Sequence, residues 1–157
     1  MNLDSSETLI RPLILVDVPH VLAILQESPE AANWSERSII QIISDGSPAW
    51  VAEEAGKVCG FLIGRIVADE FEILNVAVAS RSRRKGIGSK LVAAALEFAT
   101  RSRIQHVFLE ARASNTSAIA LYANHGFAQC GKRVQYYRDP VEDALLLSMA
   151  VDHLKND

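Results

Sequence analysis

Seven residues, Arg83-Arg84-Lys85-Gly86-Ile87-Gly88-Ser89, constrain this chain more than any other stretch. They stand between an apolar, strand-like run, Ile73 to Val78, and an amphipathic helical run that opens at Ile87. Two glycines one residue apart allow a tight turn without Cβ clashes. A helix that starts there presents unpaired N–H groups and the positive end of its dipole. With Arg81, Arg83, Arg84 and Lys85 alongside, the segment is a site for a polyanion, and a pyrophosphate suits it.

The remaining pattern gives that loop an architecture. Thr8 to Leu15 reads as a strand, with Pro12 putting it near an edge. Asp17 is expected to cap a helix over Val18 to Gln26, with Pro19 in its first turn. Ser28 to Asn33 reads as loop. Ser35 caps a second helix through Ile43, where Ile39, Ile40 and Ile43 share a face. Ala49 to Glu53 turns at Ala55-Gly56 into Lys57 to Val67, a hairpin, and Glu72 to Ala79 is a third strand. Past the glycine loop, Ile87, Leu91, Ala94, Ala95 and Phe98 line one helical face. Ile104 to Ala111 is a strand, and Asn115 caps a short helix that stops at Gly126. Phe127 to Tyr136 and Ala144 to Val151 are the last strands, joined by a polar turn through Asp139-Pro140. The order β-α-α-β-β-β-α-β-α-β-β alternates strand and helix only in its second half. The expected fold class is therefore mixed α/β, with a part-parallel, part-antiparallel sheet of about seven strands and about four helices.

A chain of 157 residues, 49% apolar and 22% charged, is expected to form one globular domain over residues 1–157. Its net charge of -3 argues against nucleic acid as the main partner and leaves the basic loop for a small anion. No apolar run approaches the roughly 18 residues of a membrane span. The first residues lack a basic secretion signal, so a soluble cytoplasmic protein is expected. Cys59 and Cys130 have no metal-ligand spacing, and both read as small core residues.

Arg83, Gly86 and Gly88 match the pattern Arg/Gln-x-x-Gly-x-Gly/Ala, and here the sequence resembles the GNAT acetyltransferase family. The resemblance covers most of the chain and is densest from Ile73 to Met149. It is nearest to the branch that acetylates the N-terminal alanine of a ribosomal protein. The residues that carry it are Trp34-Ser35-Glu36, Asn75-Val76-Ala77-Val78, Leu109-Glu110, Arg112-Ala113-Ser114-Asn115, Ala118 to Tyr122, Gly126-Phe127, Tyr136-Tyr137 and Glu142-Asp143-Ala144. The resemblance implies acetyl-CoA bound between two splayed strands, Glu72–Ala79 and Ile104–Ala111. Backbone groups of Val76, Ala77 and Val78 would pair with its pantetheine arm. Arg83 completes the motif, and amides of Arg84, Lys85, Gly86, Ile87, Gly88 and Ser89 would hold the pyrophosphate. Asn115 would contact the cofactor near its thiol end. Trp34, Tyr136 and Tyr137 would border the acceptor. Two segments depart from the branch: Ala79-Ser80-Arg81-Ser82 replaces an acidic-Pro turn with an aromatic, and Arg138-Asp139-Pro140 follows the tyrosine pair where the branch has Pro directly.

Acyl transfer from a thioester requires an amine to lose a proton, an oxyanion to be stabilised and a thiolate to be protonated. Glu110 interrupts the apolar Val107-Phe108-Leu109 and is the candidate base. Spacing alone also allows an outward carboxylate paired with Arg112, which shares its sheet face. Tyr122, with an ordinary pKa near 10, is the candidate acid, and a core tyrosine is the other reading. His125 precedes a helix-ending glycine, where a cation would favour the dipole. Trp34 serves either the acceptor or a hydrophobic staple before Ser35.

The function expected is acetyl transfer to the α-amine of a protein N-terminus, such as that of a ribosomal protein. The competing readings are a small-molecule amine acetyltransferase, with Asp69, Glu70 and Glu72 receiving a polyamine, and a CoA-binding sensor without catalysis. Gly86→Asp should cripple cofactor binding by bulk and charge; calorimetry showing near-normal acetyl-CoA affinity would contradict this.

Overall fold

The computed structural model describes residues 7–29, 31 and 34–153. Part of the loop expected from Ser28 to Asn33 and most of the N-terminal segment lie outside them. Seven strands, β1 (Leu9–Pro12), β2 (Ala49–Glu54), β3 (Lys57–Val67), β4 (Glu70–Val78), β5 (His106–Arg112), β6 (Ala128–Tyr137) and β7 (Glu142–Ala150), form one sheet in the order β1-β2-β3-β4-β5-β7-β6. Four helices, α1 (Val18–Gln26), α2 (Glu36–Ser44), α3 (Ile87–Arg101) and α4 (Thr116–Asn124), connect them. Only β4 and β5 pair in parallel; the other neighbours are antiparallel. This is the mixed α/β fold that the sequence implies. No helix among the described residues is long and apolar enough to cross a membrane.

Local chemistry explains most element ends. Ser35 accepts from the Ser38 N–H and caps α2, and Asn115 accepts from the Ala118 N–H and caps α4. The β2–β3 hairpin turns on Ala55 (φ +50°) and Gly56 (φ +77°), the left-handed pair that matches strand twist. Pro12 ends β1, an edge strand as expected. Asp17 is a correction: its side chain makes no cap for α1. It is buried, accepts from the Ile14 N–H and receives both Nη atoms of Arg11 at 2.8 Å, while Arg11 also bonds Glu53. Burial pushes the Asp17 carboxyl up, but these hydrogen bonds outweigh it and hold it below the usual carboxylate range.

Each face of the sheet carries its own core. On one, α3 and α4 cover Leu62, Phe71, Ile73, Val107, Leu109 and Ala111. On the other, α1 and α2 cover Val51, Phe61, Ile63 and Ala77. That second pair of helices stops short of β5, β7 and β6, whose face on that side stays open.

One extra residue shapes the centre of the sheet. Ile63 pairs with Asn75 but Gly64 pairs with Ile73, so Leu74 is a bulge in β4. The parallel pairing of β4 with β5 runs only from Glu70 and His106 to Ile73 and Leu109. Beyond the bulge, the two strands part.

Phe71 lies across Gly64 beneath this point. It meets Trp50 and Phe98 edge-to-face, with centroids 6.4 and 5.7 Å away. A Cβ on Gly64 would fall 2.3 Å from Phe71 Cζ and 2.9 Å from the Glu72 carbonyl oxygen. Gly64→Ala should therefore cost about 1–3 kcal/mol by overpacking, read as a lower melting temperature; an unchanged melting curve would refute this.

Candidate active site

The glycine loop begins where β4 ends. Arg84 (φ +64°) and Gly86 (φ +78°) are left-handed, and this curls the backbone into the start of α3. The helix ladder opens with the Lys90 N–H donating to the Gly86 carbonyl at 3.1 Å. The amides of Ile87, Gly88 and Ser89 therefore precede it and remain for an anion. The two glycines have different jobs. A Cβ on Gly86 would meet nothing within 4 Å, so its backbone angle is the requirement. A Cβ on Gly88 would press on Leu121 Cδ2 at 3.3 Å, so Gly88 lets α4 pack against the start of α3.

Side chains from elsewhere pin the loop. Glu27, just past α1, accepts from both the amide and the hydroxyl of Ser80 at 2.9 Å. Those bonds hold its carboxyl below the usual range. Arg83 donates to the Glu27 carbonyl, the Ser28 hydroxyl and the Val78 carbonyl, so its guanidinium is engaged with the end of α1 and the end of β4. Arg81 donates to the Val58 carbonyl. Lys85 lies 3.7 Å from Glu54, whose carboxyl is held low first by buried Ser82. At the other side, Ser89 Oγ and His125 Nε2 are 2.8 Å apart. His125 stands at the C-terminal end of α4, and burial holds it below its ordinary pKa, which disfavours the cationic form that the sequence suggested there.

The parted strands lie next to the loop. Val76 and Val78 pack toward α3, and Ala77 packs toward α1 and α2. The backbone of β4 past Ile73 pairs with β3 on one side and with no residue of β5 on the other. Glu110 follows Leu109 on β5, at the first position past the paired stretch. Alternation along the strand turns Glu110 to the open face and Leu109 and Ala111 to the α4 side. Its partner is Arg133 of β6, with Nε donating to Oε1 at 2.9 Å, and not Arg112. Tyr122 packs on the opposite face, 8% exposed, with its ring 5.7 Å from Phe127. Burial pushes its pKa up to about 12. The sole polar side-chain atom sealed without a partner among the described residues is Arg112 Nη1, so the Tyr122 hydroxyl keeps access to water. Asn115 Oδ1 is used in capping α4.

A groove of about 340 Å³ runs along the open face, lined by Glu70, His106, Phe108, Glu110, Arg133 and Leu146, among others. Neither Tyr136 nor Tyr137 lines it; their rings meet edge-to-face at 5.2 Å. Tyr136 is 51% exposed, which rules out a core role. Arg112 stacks on Tyr137 at 4.2 Å and Arg133 on Tyr136 at 5.6 Å. Burial, then Glu110, raises the Tyr137 pKa. Trp34 lines a different hollow with Arg37, Ser38, Gln41 and Ile42, so it is not brought to Glu110. Of the acidic trio considered for a polyamine, Glu72 is salt-bridged to Arg65 at 2.7 Å and Glu70 alone lines the groove. Cys130 lines the groove too and is exposed. The core reading therefore holds for buried Cys59 alone, because β6 has no helix over it.

Several supports had no role assigned from the sequence. Asp143 accepts from Lys132 and from the amide of Gln135, whose φ is +51°. Glu142 accepts from the Ser114 hydroxyl. Together they set the break in β6 register between Arg133 and Tyr137 and the loop before α4. An acidic pair directly facing a tyrosine pair across a hairpin was the available signal. Arg133 and Glu27 carried none, since both partners are remote in sequence.

A left-handed glycine loop at a helix start, a sheet parted beside it and a carboxylate in the opening define an acyl-transfer fold. The chain belongs to the acetyltransferase (GNAT) family, whose model matches residues 18–127, and it is an N-acetyltransferase. It is similar to the ribosomal protein bS18-alanine N-acetyltransferase of Escherichia coli strain K12, 31% identical over 144 residues that cover 90% of this chain and 97% of the relative. The crystal structure of the ribosomal-protein-S18-alanine N-acetyltransferase from Escherichia coli superposes with a TM-score of 0.84 at 29% identity, over 93% of this chain and 95% of that one. An acetyltransferase from Salmonella typhimurium, solved with its cofactor acetyl-CoA, shares the fold with a TM-score of 0.81 at 19% identity, over 92% of this chain and 94% of that one.

Glu27→Ala removes both bonds to Ser80 and loosens the loop. CoA affinity by calorimetry should fall about fivefold with little change in melting temperature, and an unaltered dissociation constant would refute the clamp.

Proposed function

We propose that this chain transfers the acetyl group of acetyl-CoA to the N-terminal α-amine of a protein, an alanine terminus of a ribosomal protein being the acceptor named for its relatives. The observation that carries the reading is the opening past Ile73 and Leu109, with Glu110 on one face of the sheet and Tyr122 on the other. An amine entering from the open face meets the carboxylate. A thioester entering from the α3–α4 face has its sulfur beside the phenol.

The residues then divide the labour. The amides from Arg84 to Ser89 hold the diphosphate, and the free edge of Val76, Ala77 and Val78 receives the pantetheine arm as a strand would. Asn115, at the start of the helix that carries Tyr122, stands near the thiol end. Glu110, directly or through one water, takes the proton from the ammonium. The neutral amine attacks the thioester carbonyl and forms a tetrahedral oxyanion. The carbon–sulfur bond breaks, and Tyr122 gives its proton to the departing thiolate. A phenol whose pKa is pushed up to about 12 stays protonated until that moment. Tyr136 and Tyr137 border the acceptor.

An α-amine suits a single carboxylate. Its ordinary pKa of roughly 7.7–8.0, against roughly 10.4 for lysine, makes deprotonation easier by about 3 kcal/mol. The pairing of Glu72 with Arg65 weakens the case for a polyamine.

The test is thiol release from acetyl-CoA with Ala-initiated peptides, run beside lysine-only peptides and polyamines. Ala-initiated peptides should turn over, and Glu110→Gln and Tyr122→Phe should each lower kcat about 100-fold or more. Polyamines outcompeting every peptide, or no thiol release at all, would overturn the proposal.

A further inference from the structure

The α4 helix ends against the loop. Gly88 leaves room for Leu121, and one turn further His125 Nε2 sits 2.8 Å from Ser89 Oγ. Ser89 is the third residue of α3, within the first turn whose amides are unpaired. A serine hydroxyl has one hydrogen to give and two lone pairs. If its hydrogen goes to His125, nothing but the backbone amide of Ser89 is left for an anion. If Nε2–H donates to Oγ instead, the hydroxyl hydrogen is free to point into the loop. A diphosphate oxygen only accepts, so its arrival selects the second arrangement.

We propose that His125 is a positioning residue for the acyl donor: it donates through Nε2 to Ser89 Oγ and so turns the Ser89 hydroxyl toward a diphosphate oxygen. The inference rests on the reading that the start of α3 holds the CoA diphosphate. It adds a residue outside the loop and a dependence on protons. The neutral ring reaches the donating arrangement by choosing one tautomer, while the protonated ring has no other arrangement available. A bound dianion favours the protonated ring, so binding takes up a proton and affinity rises as pH falls. Burial lowers the pKa of this ring, and the charged groups nearest Ser89 along the loop and α3 are Arg84, Lys85 and Lys90. On α3 and the loop, Lys85 is turned to Glu54 and Arg83 to the end of α1. A Cβ on neighbouring Gly126 would meet Met149 Cε of β7 at 3.8 Å and no charged group.

The experiment measures dissociation constants by calorimetry from pH 8 to pH 5.5. The ligands are 3′-dephospho-CoA, whose diphosphate does not titrate in this range, and pantetheine, which has none. The proteins are the wild type, His125→Leu and His125→Gln. Dephospho-CoA should bind the wild type several-fold tighter at pH 5.5 than at pH 8. His125→Leu should weaken it about tenfold and flatten the profile. His125→Gln, whose amide donates at every pH, should restore much of the affinity with the profile still flat. Pantetheine should bind all three alike. Tight binding that ignores both substitutions and pH would overturn the role of His125. Equal losses for pantetheine would also overturn it, because they would mark simple damage to the α3–α4 packing. A wild type that binds pantetheine as well as dephospho-CoA would instead remove the diphosphate reading itself.

Discussion

Everything in this molecule is arranged around an interrupted row of hydrogen bonds. Two parallel strands at the centre of a sheet would ordinarily pair along their whole length. Here β4 and β5 do so for four residue pairs and then separate. The cause is local: Leu74 has no partner on β3, and the added residue turns the strand. Backbone groups left without a neighbour in a covered sheet are unstable unless something else occupies them. A cleft of that kind needs a ligand with a peptide-like edge, and the pantetheine arm of the proposed donor carries two amides.

The loop beside the cleft is held by neighbours distant in sequence. Glu27 and Ser28 grip it from the end of α1, Glu54 from the end of β2 and His125 from the end of α4. Its positive charges are thus largely committed to protein partners. On the proposed reading, a diphosphate is left with backbone amides and a helix start, whose direction is fixed. Such a site recognises shape as well as charge, and it needs no strongly basic protein around it. That is consistent with a chain of net charge -3.

Most of the architecture was legible in the sequence because periodicity and punctuation agreed. α1 over Val18–Gln26 and β3 over Lys57–Val67 have the limits expected, and the glycine loop opens its helix at Ile87. The readings that failed depend on partners, not on local pattern. Asp17 looks like a cap, but Arg11 and the Ile14 amide take its oxygens. Glu110 and Arg112 share a face, yet the ion pair forms with Arg133, across the intervening β7. Cys130 sits among strand residues, but on a strand with no cover. Periodicity tells which way a side chain points and not what waits there.

The outermost strand, β6, ends the sheet with nearly every residue exposed. A long bare strand of this kind invites a second molecule to add its own. Two breaks in register, one at Gln129–Gly131 and one at Arg133–Tyr137, spoil it as a template, and Lys132 and Arg133 add charge between them. The irregularity that Asp143 braces at Gln135, beside the tyrosine pair, therefore also guards against aggregation. Straightening β6 to improve the sheet would exchange a guarded edge for a sticky one.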